Sequence, residues 1–152
     1  MSDPVIFASS TPRFGLPLLH AGQAQKEFFV NQALALADGL LHACVEGETD
    51  VPPTEAQDGE AWLVGATPQG DWTGHAGEIA LRQSGIWLFA TPVDGMIVHD
   101  RNIGQTIRFA GGWQRPAAPP APSGGSTVDS EARAAISDLI DTLRSAGIFP
   151  PA

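Results

Sequence analysis

A chain of 152 residues and 15.9 kDa has room for one ordinary domain with an appendage, or for two very small units. Seventeen acidic residues against eight basic ones give a net charge of −9, and ten Asp or Glu with no Lys or Arg lie between Lys26 and Arg82. Such a surface repels phosphate backbones and lacks a polybasic anchor, so neither nucleic-acid binding nor membrane attachment is expected. No apolar run approaches the roughly 20 residues that span a bilayer, so no membrane insertion is expected either. Met1-Ser2-Asp3-Pro4 lacks the basic start and apolar core of a secretory leader, so classical secretion is not expected. Cys44 is the only cysteine, which excludes an intrachain disulfide framework and any multi-cysteine metal site. Its apolar neighbours point to a small buried residue.

Residues 1–21 read as an extended arm, because Pro4, Pro12 and Pro17 each bias the preceding residue away from helix. The arm carries Phe7, Phe14, Leu16, Leu18 and Leu19. Apolar side chains on a segment with no fold of its own must lie across something, either their own domain or a neighbouring molecule. Phe7, Phe14 and Leu16 are the candidate anchoring residues.

Residues 23–43 read as a helix. Val30, Ala33, Leu34, Ala37, Leu40 and Leu41 recur at helical spacing and form one apolar stripe, with Gln25, Lys26, Asn31, Gln32 and Asp38 largely off it. Phe28, Phe29 and Leu36 widen the apolar surface, as on a helix that is sandwiched or at an interface. Gly39 costs a helix about 1 kcal/mol relative to Ala, which points to close packing there. Residues 45–59 read as an acidic solvated loop, without the ordered oxygen ligands of an EF-hand.

Residues 60–115 read as short strands punctuated by glycine: 61–64, 78–82, 86–90 after the turn 83–85, 96–99 and 106–109. That spacing predicts an antiparallel meander or small barrel, with burial on both faces of the continuous apolar run 86–90. Residues 116–126, rich in Pro, Gly and Ser, read as a linker. Residues 127–147 read as an amphipathic helix, capped by Ser126 or Thr127 and closed by Gly147. Ile136, Leu139, Ile140 and Leu143 on its apolar face are candidate oligomerisation residues; the same face is equally suited to docking within the chain or on another protein. The fold class expected is α+β. An extended arm (1–21) leads into a domain of one helix packed on an antiparallel β meander or barrel (22–115), followed by a linker (116–126) and a C-terminal helix (127–149).

Few residues point to a reaction. There is no Gly-x-Ser-x-Gly elbow, Walker loop or dinucleotide fingerprint, and His20, His42, His75 and His99 are scattered. Asp71, Glu78, Asp94 and Asp100 are the acids able to supply a carboxylate pair, since their spacing in space is not legible here. No catalytic residue, metal or cofactor is expected. The loop Gln69–Gly77 is too polar for a core strand yet holds Trp72. An aromatic ring beside Asp71 and His75 is the chemistry of a sugar platform, with C–H groups on the ring and polar side chains on the hydroxyls. The alternative is that Trp72 folds inward and His75 bonds the backbone. Trp62, Trp87 and Trp113 read as core.

Three segments resemble a domain family of unknown function found in prophages and gene transfer agents of alphaproteobacteria. They are Leu16-Pro17-Leu18-Leu19-His20-Ala21-Gly22-Gln23-Ala24-Gln25-Lys26-Glu27, then Gly70-Asp71-Trp72-Thr73-Gly74-His75-Ala76-Gly77-Glu78-Ile79-Ala80, then Trp87-Leu88-Phe89-Ala90-Thr91-Pro92-Val93-Asp94-Gly95. The C-terminal helix after its linker is similar to those of phage appendage proteins. The resemblance implies a virion structural protein, in one context a head spike that helps particles adhere to capsule polysaccharide. It implies a homo-oligomer, pentamer or trimer, working beside capsid or a second spike protein, and it carries over no catalytic residue. A tail fibre or adaptor, or a capsule- or cell-wall-degrading enzyme, are the alternative readings.

Overall fold

The computed structural model describes residues 11–13, 16, 18 and 26–152, and the chain divides into two compact units, 1–92 and 93–152. Among the described residues the architecture is α+β, with two helices and two small open sheets, and no barrel closes.

In the first unit, helix α1 (Lys26–Leu41) precedes two short strands, β1 (Cys44–Val45) and β2 (Glu48–Thr49). Strands β3 (Ala61–Val64), β4 (Ile79–Gln83) and β5 (Ile86–Ala90) follow. The sheet order is β2-β3-β4-β5, antiparallel except that β2 runs parallel to β3. The acidic stretch is therefore only partly a solvated loop. Glu46 N donates to Ala61 O and Gly65 N to Thr49 O, which straps it along β3, and Val45 is buried. Asp50 holds the exit from β3, accepting from Thr67 N at 2.9 Å and Thr67 Oγ1 at 2.7 Å. These bonds favour the ionised carboxylate and lower its pKa. Cys44 is half-buried, with a free thiol, rather than fully buried.

Helix α1 does not seat the stripe that its periodicity marks. Ala35, Asp38 and Gly39 are buried, whereas Phe29, Val30, Ala33, Ala37 and Leu41 are exposed. The reason is Gly39: an added Cβ there would stand 1.7 Å from Leu81 Cδ2, so the helix backbone rests directly on β4. Asp38 enters the interior because its carboxylate accepts from Arg13 N at 2.9 Å. The Arg13 guanidinium donates to the carbonyls of Gly39 and His42, both at 2.5 Å, satisfying orphan groups at the end of α1. Gly39→Ala is expected to destabilise the protein by about 1–3 kcal/mol, because overpacking against Leu81 outweighs the helix-propensity gain. Urea unfolding measures it, and a stabilised variant would exclude so close a contact.

Phe7 and Phe14 lie outside the described residues. Leu16 is half-buried and exchanges two hydrogen bonds with Thr11, accepting from Thr11 N at 2.9 Å and donating to Thr11 Oγ1 at 3.0 Å.

The second unit holds β6 (Ile97–Asp100), β7 (Gln105–Phe109) and β8 (Trp113–Gln114), paired antiparallel in that order, then α2 (Ser130–Ser145). Residues 116–126 carry no regular structure. The N-cap of α2 is Asp129, not Ser126 or Thr127; its carboxylate accepts from Ala132 N at 2.9 Å. Gly147, at φ 69°, closes the helix, and Ile148 N reaches back to Leu143 O at 2.9 Å, the Schellman arrangement. Beyond it the chain is fastened to β7. Thr106 N donates to Gly147 O, and the buried Gln105 amide donates to Pro116 O and Ile148 O, each at 2.7 Å. Along α2, Ile140 is buried and Leu143 half-buried, while Ile136, Leu139 and the preceding Val128 are exposed.

Candidate functional site

The sequence directs attention to the loop between β3 and β4. It folds as consecutive turns: Trp72 N donates to Gln69 O, Thr73 N to Gly70 O, His75 N to Trp72 O and Glu78 N to His75 O. Gly70, Gly74 and Gly77 take φ of 57°, 94° and 77°, left-handed values that a Cβ disfavours, which accounts for the glycine richness. Gly77 N donates to Val64 O and Val64 N donates to Glu78 O, so the loop closes on its own strands.

This path carries Trp72 inward. Its side chain is 0% exposed and packs on Val64 and Ala80, with Trp62, Trp87 and Phe89 around it. The reading of Trp72 as an open stacking platform is corrected on that ground: a platform needs an exposed ring face. Ala80 is the physical cause. It lies between Trp62 and Phe89 across three strands, and its small side chain leaves a slot that the indole fills. Trp72 Nε1 is buried there without a hydrogen-bond partner.

His75 and Asp71 do not join Trp72 in a polar cluster. The His75 ring stacks on Phe89, centroids 3.6 Å apart and planes 4° from parallel, and its Nδ1 lies 2.8 Å from Glu78 Oε2. The other Glu78 oxygen accepts from Thr91 Oγ1 at 2.7 Å. His75 thus bonds a carboxylate, not the backbone. Asp71 is exposed on the short helical turn. Of the remaining acids, Asp94 accepts from Gly111 N at 2.9 Å. Asp100 is buried, accepting from Asn102 N at 3.0 Å, with Arg115 3.6 Å away. No group of three or more His, Cys, Asp or Glu among the described residues is placed to hold a metal ion. No helix among them is long and apolar enough to cross a membrane.

What sequence reasoning missed is the sheet face itself. Trp62, Arg82, Trp87 and Phe89 share one side of β3–β5 and are half-buried, not core. Trp87 meets Trp62 and Trp72 edge-on, at 5.7 and 5.1 Å between centroids, and Arg82 lies 4.9 Å over the Trp87 ring. Alternation within 86–90 held the signal. Trp87 and Phe89 point to the aromatic face, while Leu88 and Ala90 are buried on the side of Leu81, where α1 rests. A half-open aromatic surface with a guanidinium beside it offers stacking and hydrogen bonding to a flat polar ligand.

Comparison with curated proteins finds no match. The sequence pattern of a family described as a protein of unknown function (DUF2793) matches residues 30–114, more than half the chain. The match takes in the eight strands of the described residues and the motifs at 70–80 and 87–95, and begins after the motif at 16–27. The aromatic sheet and the loop that plugs it thus lie within the matched span, and the chain belongs to the DUF2793 family.

Proposed function

We propose that the protein is a non-enzymatic structural subunit of a phage-like particle, a head spike or fibre component that helps the particle hold the polysaccharide of a recipient cell. The observation that carries the reading is α2. It is capped at both ends, yet Val128, Ile136 and Leu139 are left exposed beside it and along it. An apolar row on a well-formed helix is an association surface. The motif resemblance to prophage and gene transfer agent proteins supports the particle context. On this reading the subunit assembles as a trimer or pentamer, beside capsid or a second spike protein, inside the producing cell. Repetition around the axis multiplies a weak sugar contact. That contact falls to the half-open face of Trp62, Trp87 and Phe89 rather than to Trp72.

Quantitative mass spectrometry of purified particles tests the reading. The protein is expected at a fixed number of copies per particle, and particles lacking it are expected to adsorb to capsulated cells several-fold less. Absence from particles would sink the proposal.

A further inference from the structure

The charge of the chain is unevenly distributed. Residues 1–92 hold three basic residues against eleven acids, whereas residues 93–152 hold five arginines against six acids. Two of those arginines line a pocket of about 280 Å³ with Thr106, Gln114 and Pro116. That volume is just below the roughly 300–1,000 Å³ of ordinary small-molecule sites.

The sheet builds this pocket from alternation. Val98, Asp100, Gln105 and Ile107 are buried, so Thr106 and Arg108 fall on the opposite side of β7, and Gln114 pairs directly across from Arg108. Arg115 and Pro116 continue the chain past β8 and complete the lining. The Arg108 side chain is exposed and makes no hydrogen bond or ion pair among the described residues. Arg115 is held by Asp100 at 3.6 Å, which fixes its position and leaves Arg108 as the uncompensated cation. The Gln114 amide donates to Gly112 O at 3.1 Å, and its carbonyl oxygen remains as an acceptor. The Thr106 hydroxyl adds a group that both donates and accepts.

A guanidinium fork matches a carboxylate in two parallel hydrogen bonds, and neutral donors and acceptors beside it match hydroxyls. We infer that this pocket binds a sugar acid, its carboxylate on Arg108 and its hydroxyls toward Thr106 and Gln114. The inference deepens the attachment reading and rests on it only for the glycan source of the acid. It shares no residue with the aromatic face.

The test is calorimetric or NMR titration of the full chain with glucuronic acid, glucose and inorganic phosphate. Glucuronate is expected to bind at least tenfold more tightly than glucose, and Arg108→Ala to weaken it about tenfold or more, as loss of a charge-assisted hydrogen-bond pair requires. Arg108→Lys should keep part of the affinity, because it retains the charge without the fork. Equal binding of glucuronate by the Arg108→Ala variant overturns the site, and equal binding of glucose overturns the role of the carboxylate. Phosphate bound as tightly as glucuronate also overturns the inference, because the pocket would then be an unselective anion site. Arg108 is exposed, so its variants are expected to fold, and circular dichroism checks this. Glucuronate binding by a protein absent from particles would end the spike reading and leave the pocket standing.

Discussion

Trp72→Ala is expected to destabilise the protein by about 3–5 kcal/mol, the usual cost of emptying a large aromatic site in a core. The indole is fully buried between Val64, Ala80 and the rings of Trp62, Trp87 and Phe89, so its removal leaves a large void beside them. Domains are stable by only about 5–15 kcal/mol, so the variant should be close to unfolding at room temperature. Trp72→Phe should lose less than half as much. It keeps an aromatic ring in the slot and removes Nε1–H, a buried donor with no acceptor. Urea unfolding of the three proteins decides the matter. A loss below about 1 kcal/mol in Trp72→Ala would mean that the ring is not in the core.

If subunits join through α2 as proposed, replacing both Ile136 and Leu139 with Asp should leave a folded monomer. Each is exposed in the single chain, so the substitutions disturb no packing within it. Burial of one such side chain at an interface contributes about 1.5–3 kcal/mol, and losing two weakens association by about a hundredfold or more. Ile140→Asp is the contrast, since Ile140 is buried in the chain itself; that substitution should undo α2 and lower its helix signal. Sedimentation and circular dichroism together separate the two effects. A wild-type chain that sediments as a monomer at high concentration, or a double variant that stays assembled, would refute self-association through α2.

Much of the fold was legible because its causes are local. The strands at 61–64, 79–83, 86–90, 97–100 and 105–109 are short apolar or alternating runs closed by glycine turns, and Gly147 with the prolines beyond it ends α2 where its left-handed φ requires. What escaped depends on contacts between distant residues. Periodicity in α1 identified a helix, but the face it buries follows from Gly39 meeting Leu81 and Asp38 meeting Arg13, partners 42 and 25 residues away. The pairing of β2 parallel to β3 was hidden for the same reason, since two residues of strand carry no pattern of their own. In the candidate site, Asp71, Trp72 and His75 read as one cluster because they are neighbours in sequence. Their backbone turns so sharply that one faces solvent, one is buried, and one stacks on Phe89. Conversely, Trp62, Arg82 and Trp87 are scattered along the chain and meet only through strand register.

The Gln105 side chain gives the last quarter of the molecule a different mechanical character from the one its proline and glycine content implies. One amide holds both Pro116 and Ile148, so the segment between them is a closed lariat rather than a leash. A leash would let α2 swing over a sphere set by the length of residues 116–126. A lariat has both ends knotted at β7, and its helix is confined to the orientations a single pinned ring allows. Thr106 N on Gly147 O tightens the same knot. Subunits joined through α2 would therefore pass torque and tension directly into the second sheet, and their spacing would be inherited from one chain's folding rather than set when the subunits meet.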